Sequence, residues 1–348
     1  MRITKFLAAS ALSVLLAACG AGSSTSPQFS SLVSFGDSLS DVGTYKVGTV
    51  EALGGGKYTV NGAGSQIWIE ILASRLGLAA PCAAETGLDG DPSQGFSVPA
   101  TKRPGCTAYA QGGARVTNPV GPGNKLLGGS NALLGQLTVP VLKQMNNHLA
   151  AVGGAYTGRE MVLVLAGGND VFMNLGAVGA GAATPTQAVT EMGKAGAELA
   201  GYIKAFVIGK GAQYVTVVNL PDVSKTPYAY SLDANTQGLI NVMSSTFNTQ
   251  LKNGLAGTNV AFVDAYAIGR DQAAKPDAYG ISNSTGFACN LDPAVNPLSS
   301  SLTCNASNVI AGDISKYQFA DGVHPSPFGY RLFADAAQVE IAKKGWIN

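Results

Sequence analysis

The chain has 348 residues and a nearly balanced charge, with a formal net charge of +1 at pH 7. This balance excludes the basic footprint of a nucleic-acid-binding protein. Hydrophobic residues make up 46% of the sequence, charged residues make up only 12%, and there are 45 glycines. Such a composition is typical of a folded protein with many turns and excludes a disordered chain.

The first residues have the pattern of an export signal. Two basic residues precede an apolar run over 6–18, which is too short to span a bilayer but suits a secretory signal. The run leads into the tetrad LAAC, which ends at Cys19 and resembles a bacterial lipobox, in which the cysteine is lipidated after cleavage. We predict a signal peptide over 1–18 and a lipid on Cys19. Ordinary cleavage beside an incidental cysteine is the alternative.

A polar stretch rich in glycine and serine follows, and we expect it to form a flexible tether over 19–28. The sequence therefore predicts an exported bacterial protein. It would be an outer-membrane lipoprotein, tethered through Cys19, or a periplasmic or extracellular protein. We expect it to be a monomer that binds no nucleic acid.

Four cysteines remain after Cys19, an even number that suits disulfides in an oxidising compartment. Sequence proximity favours pairing Cys82 with Cys106 and Cys289 with Cys304, although three pairings are possible. Each of these two bonds would close a loop and contribute about 3 kcal/mol of stability. A zinc site is the competing interpretation, but two histidines and no close Cys-x-x-Cys pair argue against a metal.

Short apolar runs alternate with longer helical patterns after position 29, which predicts an α/β fold with a mostly parallel sheet of about five strands. The predicted strands lie near 31–36, 106–110, 161–166, 213–219 and 259–264. The predicted helices lie near 65–76, 132–150, 185–208, 233–253 and 327–343. We expect 29–348 to be one domain, with insertions near 77–105 and 270–320.

Residues that could carry chemistry follow three consecutive predicted strands. Ser38 follows the first strand, Gly113 the second and Asn169 the third. Ligands of open parallel sheets bind beyond the carboxyl ends of the strands, so we expect these residues to meet at one place. The backbone N–H groups of Ser38 and Gly113 and the side-chain amide of Asn169 are candidate donors to an oxyanion.

A serine nucleophile needs a base, because its hydroxyl is weakly nucleophilic at neutral pH. Of the two histidines, His148 lies near the apolar side of a predicted helix and is interpreted as structural. His324 follows Asp321 by three residues, a spacing at which the carboxylate can orient the imidazole as in a catalytic triad. Taken alone, this segment would also fit a surface turn.

Together, these residues resemble the GDSL, or SGNH, hydrolase family. The heptad FGDSLSD at 35–41 is similar to the first block of that family, and 112–114 to its glycine block. The segment 168–170 is similar to its Gly-x-Asn-Asp block, and 321–324 to its final Asp-x-x-His block. One departure is Thr44, where many relatives have asparagine.

The resemblance implies a flavodoxin-like, three-layer α/β/α sandwich and hydrolysis of lipid, aryl or acetyl esters through an acyl-enzyme, without a cofactor. It implies a triad of Ser38, Asp321 and His324. A phospholipase, an acyltransferase or a polysaccharide deacetylase using the same triad stays open. A cell-surface binding lipoprotein on a hydrolase scaffold is the alternative outside enzymes.

Overall fold

The computed structural model describes residues 27–347. The predicted signal peptide over 1–18 and the predicted lipidation site at Cys19 lie outside the described residues, as does most of the predicted tether. No helix in the described part of the chain is long and apolar enough to cross a membrane.

Residues 27–347 form eight strands and ten α-helices. The strands are β1 (Ser31–Gly36), β2 (Glu85–Asp89), β3 (Ser97–Lys102), β4 (Glu160–Leu165), β5 (Tyr214–Val218), β6 (Ala261–Val263), β7 (Asn283–Phe287) and β8 (Tyr317–Phe319). The helices are α1 (Gly48–Ala52), α2 (Trp68–Arg75), α3 (Gly129–Leu134), α4 (Val141–Ala151), α5 (Gly168–Gly179), α6 (Pro185–Tyr202), α7 (Pro227–Tyr230), α8 (Ala234–Gly254), α9 (Ala265–Ala274) and α10 (Pro327–Lys343).

The central sheet is parallel and has the strand order β1-β4-β5-β6. Neighbouring residues of each strand point to opposite faces of the sheet. Both faces carry apolar side chains, and helices cover both of them. Val33 and Val162 pack with α4, α6 and α8, whereas Leu32 and Leu163 pack with α2 and α10. The predicted three-layer α/β/α sandwich is therefore confirmed.

The predicted strand near 106–110 is wrong in extent. Only Ala108 forms bridges, with Ser34 on β1 and with Ala83. The disulfide at Cys106 and the turn at 112–113 leave few residues that can run beside β1, so the sheet has four full strands and not five. With this edge segment counted as the second strand, the order is the 2-1-3-4-5 order of flavodoxin-like folds.

The predicted helix over 132–150 is also wrong in extent. Gly135 adopts a left-handed conformation and ends α3, and α4 begins only after Pro140. Proline has no backbone N–H and cannot continue a preceding helix, so the two helices stay separate. The predictions for α2, α8 and α10 agree with the structure to within three residues at either end.

The two predicted insertions contain small β-structures. An antiparallel pair, β2 and β3, lies in 77–105, and a parallel pair, β7 and β8, lies in 270–320. One disulfide closes a loop in each part of the chain. Cys82 is bonded to Cys106, directly after the first region, and Cys289 to Cys304, which is the pairing that sequence proximity favoured.

His148 is a structural residue in the hydrophobic layer beneath β1. Its ring packs against Phe35, Tyr109 and Tyr156, and neither ring nitrogen has a hydrogen-bond partner in the described chain. Burial lowers the pKa of His148 to about 4, although the carboxylate of Glu160 acts in the opposite direction. The imidazole is therefore neutral at pH 7 in the folded protein.

Replacement of His148 by phenylalanine tests this description. The unfolded histidine takes up a proton near its ordinary pKa of 6.5, but the folded one does so only near 4. The stability that depends on a neutral His148 is thus fully present above pH 6.5 and is lost as the pH falls towards 4. Between pH 7 and pH 4, we expect the free energy of unfolding of the native protein to fall by up to about 3 kcal/mol more than that of His148→Phe. Urea denaturation at both pH values measures this, and equal losses would contradict the assignment.

Candidate active site

Ser38 lies in the turn that directly follows β1. Gly36 ends the strand with a φ of +152°, and a Cβ atom there would lie 2.0 Å from the carbonyl oxygen of Leu165 on β4. Glycine is therefore required for the two strands to end side by side. Asp37 accepts a hydrogen bond from Leu39 N–H and caps a short 3₁₀ helix over Ser38–Ser40.

The end of β1 is also held from α4. Gln144 Oε1 accepts the N–H of Gly36, and its Nε2 donates to the Gly36 carbonyl, both at 2.8 Å. Gln144 is 1% exposed. Its amide thus satisfies both backbone groups of Gly36 at the point where the strand gives way to the turn.

Ser38, Asp321 and His324 form one hydrogen-bonded chain. Ser38 Oγ lies 2.8 Å from His324 Nε2, and His324 Nδ1 lies 2.8 and 2.9 Å from the two carboxylate oxygens of Asp321. The structure therefore brings together the three residues that the sequence predicted for a triad.

The carboxylate of Asp321 is buried and held by the backbone. It accepts the N–H groups of Ser301, Val323 and His324. Burial opposes ionisation, but the facing imidazole and these hydrogen bonds outweigh it and lower the pKa of Asp321 below its ordinary value. An ionised Asp321 favours the tautomer with the proton on Nδ1, which leaves Nε2 free to accept the proton of Ser38.

Tyr58 packs on the imidazole of His324 and was not predicted from the sequence. The two ring centroids lie 4.7 Å apart, and Tyr58 is buried. Its hydroxyl lies against the glycine block, since a Cβ atom at Gly112 would be 2.1 Å from it. Tyr58 lies in an irregular segment without a motif, so only the structure reveals its position.

Gly113 lies on the wall of the cavity that also contains Ser38 and His324. Its φ is +76°, and a Cβ atom would lie 2.1 Å from the carbonyl oxygen of Pro122, so only glycine fits. Among residues 27–347, neither Gly113 N–H nor Ser38 N–H donates to an acceptor. Both donors are therefore available to a ligand.

Asn169 lines the same cavity at the start of α5. Its Nδ2 donates to the carbonyl oxygen of Ala114 at 2.8 Å, which orients the side-chain amide. An amide nitrogen carries two hydrogens. One therefore fixes the side chain to the glycine block, and this is the only acceptor that Nδ2 contacts in the described chain.

Asp41 joins the turn of Ser38 to the glycine block. One carboxylate oxygen accepts Gly112 N–H at 2.9 Å, and the other accepts the N–H groups of Gly43 and Thr44 at 2.9 and 2.7 Å. Burial raises the pKa of Asp41 to about 6 against these hydrogen bonds, so the group is ionised at neutral pH. Thr44, the departure from the family pattern, still supplies its backbone N–H here.

Asp170 binds the two residues that follow the glycine block. Its carboxylate accepts Arg115 Nε at 2.8 Å and Val116 N–H at 3.0 Å. Burial raises the pKa of Asp170, although Arg115 and the hydrogen bonds act against this. Asp41 and Asp170 stand inside the predicted motif blocks, and that position was the only sequence signal for their role.

Asp37 introduces a titrating group beside Ser38. Burial raises the pKa of its carboxyl to about 7, with the Leu39 N–H and His324 acting in the opposite direction and Asp170 adding to the rise. As the pH rises through neutrality, a negative charge therefore develops in the wall of the cavity.

We expect Asp41→Asn to lower kcat for a short aryl ester about 10- to 100-fold with little change in KM. The reason is that Gly112 loses its carboxylate acceptor, so the neighbouring Gly113 N–H is displaced from its position. Steady-state kinetics and a thermal melt of the same samples measure the effect.

Glu160→Gln is the matched control for this variant. Glu160 is also a buried carboxylate that accepts a backbone N–H, that of Thr157 at 2.9 Å, but it does not line the cavity. An unchanged kcat in Asp41→Asn, or equal losses of kcat in both variants, would show that Asp41 has no specific effect on the site.

The cavity has a volume of 720 Å³, which lies within the usual range for ligand pockets. Its walls are mostly apolar and come from the segments after β1, β4, β5 and β6, from α3, α9 and α10, and from the stretch 297–300. An ester with a sizeable apolar part would fit this lining.

The sequence model described as GDSL-like Lipase/Acylhydrolase matches residues 32–337. The chain belongs to this family. The predicted family is thereby confirmed.

Individual relatives match over shorter stretches. A GDSL esterase/lipase from Arabidopsis thaliana is 27% identical over 133 residues, which cover 34% of this chain and 36% of the plant protein. Esterase EstA from Pseudomonas aeruginosa is 29% identical over 134 residues, which cover 36% of this chain and 19% of EstA. Each match thus spans well under two thirds of the relative's length.

Among solved structures, LAE5, an alpha/beta hydrolase enzyme from the metagenome of Lake Arreo in Spain, is similar to this chain. The two are 14% identical, and the match covers 93% of this chain and 98% of LAE5 with a TM-score of 0.43.

Proposed function

We propose that this protein is a serine esterase that hydrolyses carboxylic esters through an acyl-enzyme on Ser38. The observation that carries the proposal is the hydrogen-bonded chain from Ser38 Oγ through His324 to Asp321. Family membership supports the same class of reaction.

In the proposed mechanism, His324 Nε2 takes the proton of Ser38 as Oγ attacks the ester carbonyl carbon. Asp321 stabilises the imidazolium ion that forms. His324 then gives the proton to the leaving alcohol oxygen as the tetrahedral intermediate collapses to the acyl-enzyme. Water, activated by the same histidine, releases the acid and restores Ser38.

The negative oxygen of the tetrahedral intermediate would accept hydrogen bonds from Ser38 N–H, Gly113 N–H and the Asn169 amide. The first two are unpaired donors in the described chain, and all three residues line the cavity. Removing one such donor typically costs about 3 kcal/mol of transition-state stabilisation. Because these donors are already in position before the reaction, they would need little reorientation, whereas water molecules would have to reorient around the new charge.

We further propose that 29–348 acts as one domain. The second insertion supplies the Ser301 N–H that holds Asp321. Phe96 from the first insertion packs in the same hydrophobic cluster as Tyr58, which contacts His324. Neither insertion could therefore be removed without disturbing the site.

Export is part of the same proposal. Both disulfides suit an oxidising compartment, and the predicted signal peptide over 1–18 would direct the protein to such a compartment. Lipidation of Cys19 stays a prediction, and intact mass after expression in a bacterium that processes lipoproteins would test it.

Ser38→Ala tests the proposed function. We expect the variant to lose at least about 1,000-fold in kcat on 4-nitrophenyl butyrate, because Ser38 Oγ is the hydroxyl that contacts the base His324. We also expect a fluorophosphonate probe to label the native protein at Ser38 and not to label the variant. The matched control is Ser130→Ala, since Ser130 lines the same cavity without contacting His324.

Near-native turnover by Ser38→Ala, or probe attachment at another residue, would refute the assignment of the nucleophile. A native protein that neither hydrolyses esters nor reacts with the probe would favour the binding lipoprotein.

A further inference from the structure

The cavity that contains Ser38 is also lined by residues of α9 and α10. Leu39, the residue after Ser38, lines this cavity together with Ile268 of α9 and Phe333 of α10. All three side chains are half-buried and pack against the same hydrophobic cluster, which includes Val263 at the end of β6. We call this part of the cavity the α9–α10 groove.

Other apolar residues of the cavity wall belong to a different hydrophobic cluster. Leu133, Leu134 and Leu298 line the cavity and pack against the cluster that contains Tyr58. Tyr58 itself packs on the ring of His324. In ester hydrolysis, His324 must deliver a proton to the leaving oxygen, so the alcohol part of the substrate belongs at the Tyr58 end. The α9–α10 groove is then left for the acyl part.

Gly269 keeps the α9–α10 groove open. It lies within α9 and lines the cavity, and a Cβ atom placed on it would have no atom of another residue within 4 Å. Glycine is unfavourable inside a helix compared with residues that have a side chain. An open groove that a side chain would fill is a physical reason for glycine at this position.

We infer that the α9–α10 groove binds the acyl chain of the ester substrate and that Gly269 sets the chain length it accepts. This inference rests on the proposed esterase function. The groove residues named above are apolar, so an alkyl chain fits it better than an acetylated sugar. Each methylene buried there would raise kcat/KM by roughly fourfold until the groove is full.

Gly269→Leu tests the inference, with kcat/KM measured for 4-nitrophenyl esters from acetate to dodecanoate. In the native protein, we expect kcat/KM to rise with acyl length. In Gly269→Leu, we expect the ratio of kcat/KM for dodecanoate to that for acetate to fall at least tenfold. A second series, acetates of alcohols of increasing length, should show no such change.

Gly238→Leu is the matched control. Gly238 lies in α8, is exposed and does not line the cavity, and a Cβ atom placed on it would also have no neighbouring atom within 4 Å. We expect its acyl-length profile to equal that of the native protein. Gly269→Ala, which fills less of the groove, should give a smaller decrease and covers the case in which the leucine variant does not fold.

An unchanged dodecanoate-to-acetate ratio in folded Gly269→Leu or Gly269→Ala would overturn the inference. A change confined to the alcohol series would assign the groove to the leaving group and would overturn it as well. Failure of the proposed function is distinguishable from both, because the native protein would then hydrolyse none of these esters.

Discussion

The parallel pairing of β1 with β4 determines where the proposed catalytic groups lie. Gly36 is aligned with Leu165, so the two strands end at the same edge, and Ser38 and Asn169 leave the sheet at adjacent points. The pairing depends on the absence of a side chain at Gly36, whose Cβ would overlap the Leu165 carbonyl. The Gln144 amide then satisfies the backbone groups of Gly36.

Buried carboxylates connect the loops that leave this edge. Asp41 joins the Ser38 turn to the glycine block, Asp170 joins the segment after that block to α5, and Asp321 holds His324. Burying a carboxylate is costly unless hydrogen bonds satisfy it, and each of these accepts at least one backbone N–H. These hydrogen bonds hold the loops in place, and within residues 27–347 Ser38 N–H and Gly113 N–H stay free to bind a ligand.

Hydrophobic periodicity predicted the fold class and the four strands of the central sheet, and the motifs predicted the Ser38–Asp321–His324 chain. Sequence proximity favoured the disulfide pairing that the structure shows, among three possible pairings. Local patterns predicted a strand near 106–110 but not its short extent, because the disulfide at Cys106 and the turn at 112–113 limit the residues that run beside β1. They also could not predict Tyr58, since its contact with His324 joins residues far apart in the chain. Long-range packing, which leaves no local periodicity, accounts for these differences.

The central claim is that the ends of neighbouring strands together form a site for acyl transfer. The most direct measurement is a crystal structure of the protein after reaction with an alkyl fluorophosphonate. We predict a bond from Ser38 Oγ to phosphorus, with the phosphoryl oxygen within hydrogen-bond distance of Ser38 N–H, Gly113 N–H and Asn169 Nδ2. An adduct on another residue, or a phosphoryl oxygen that contacts none of these donors, would contradict the account.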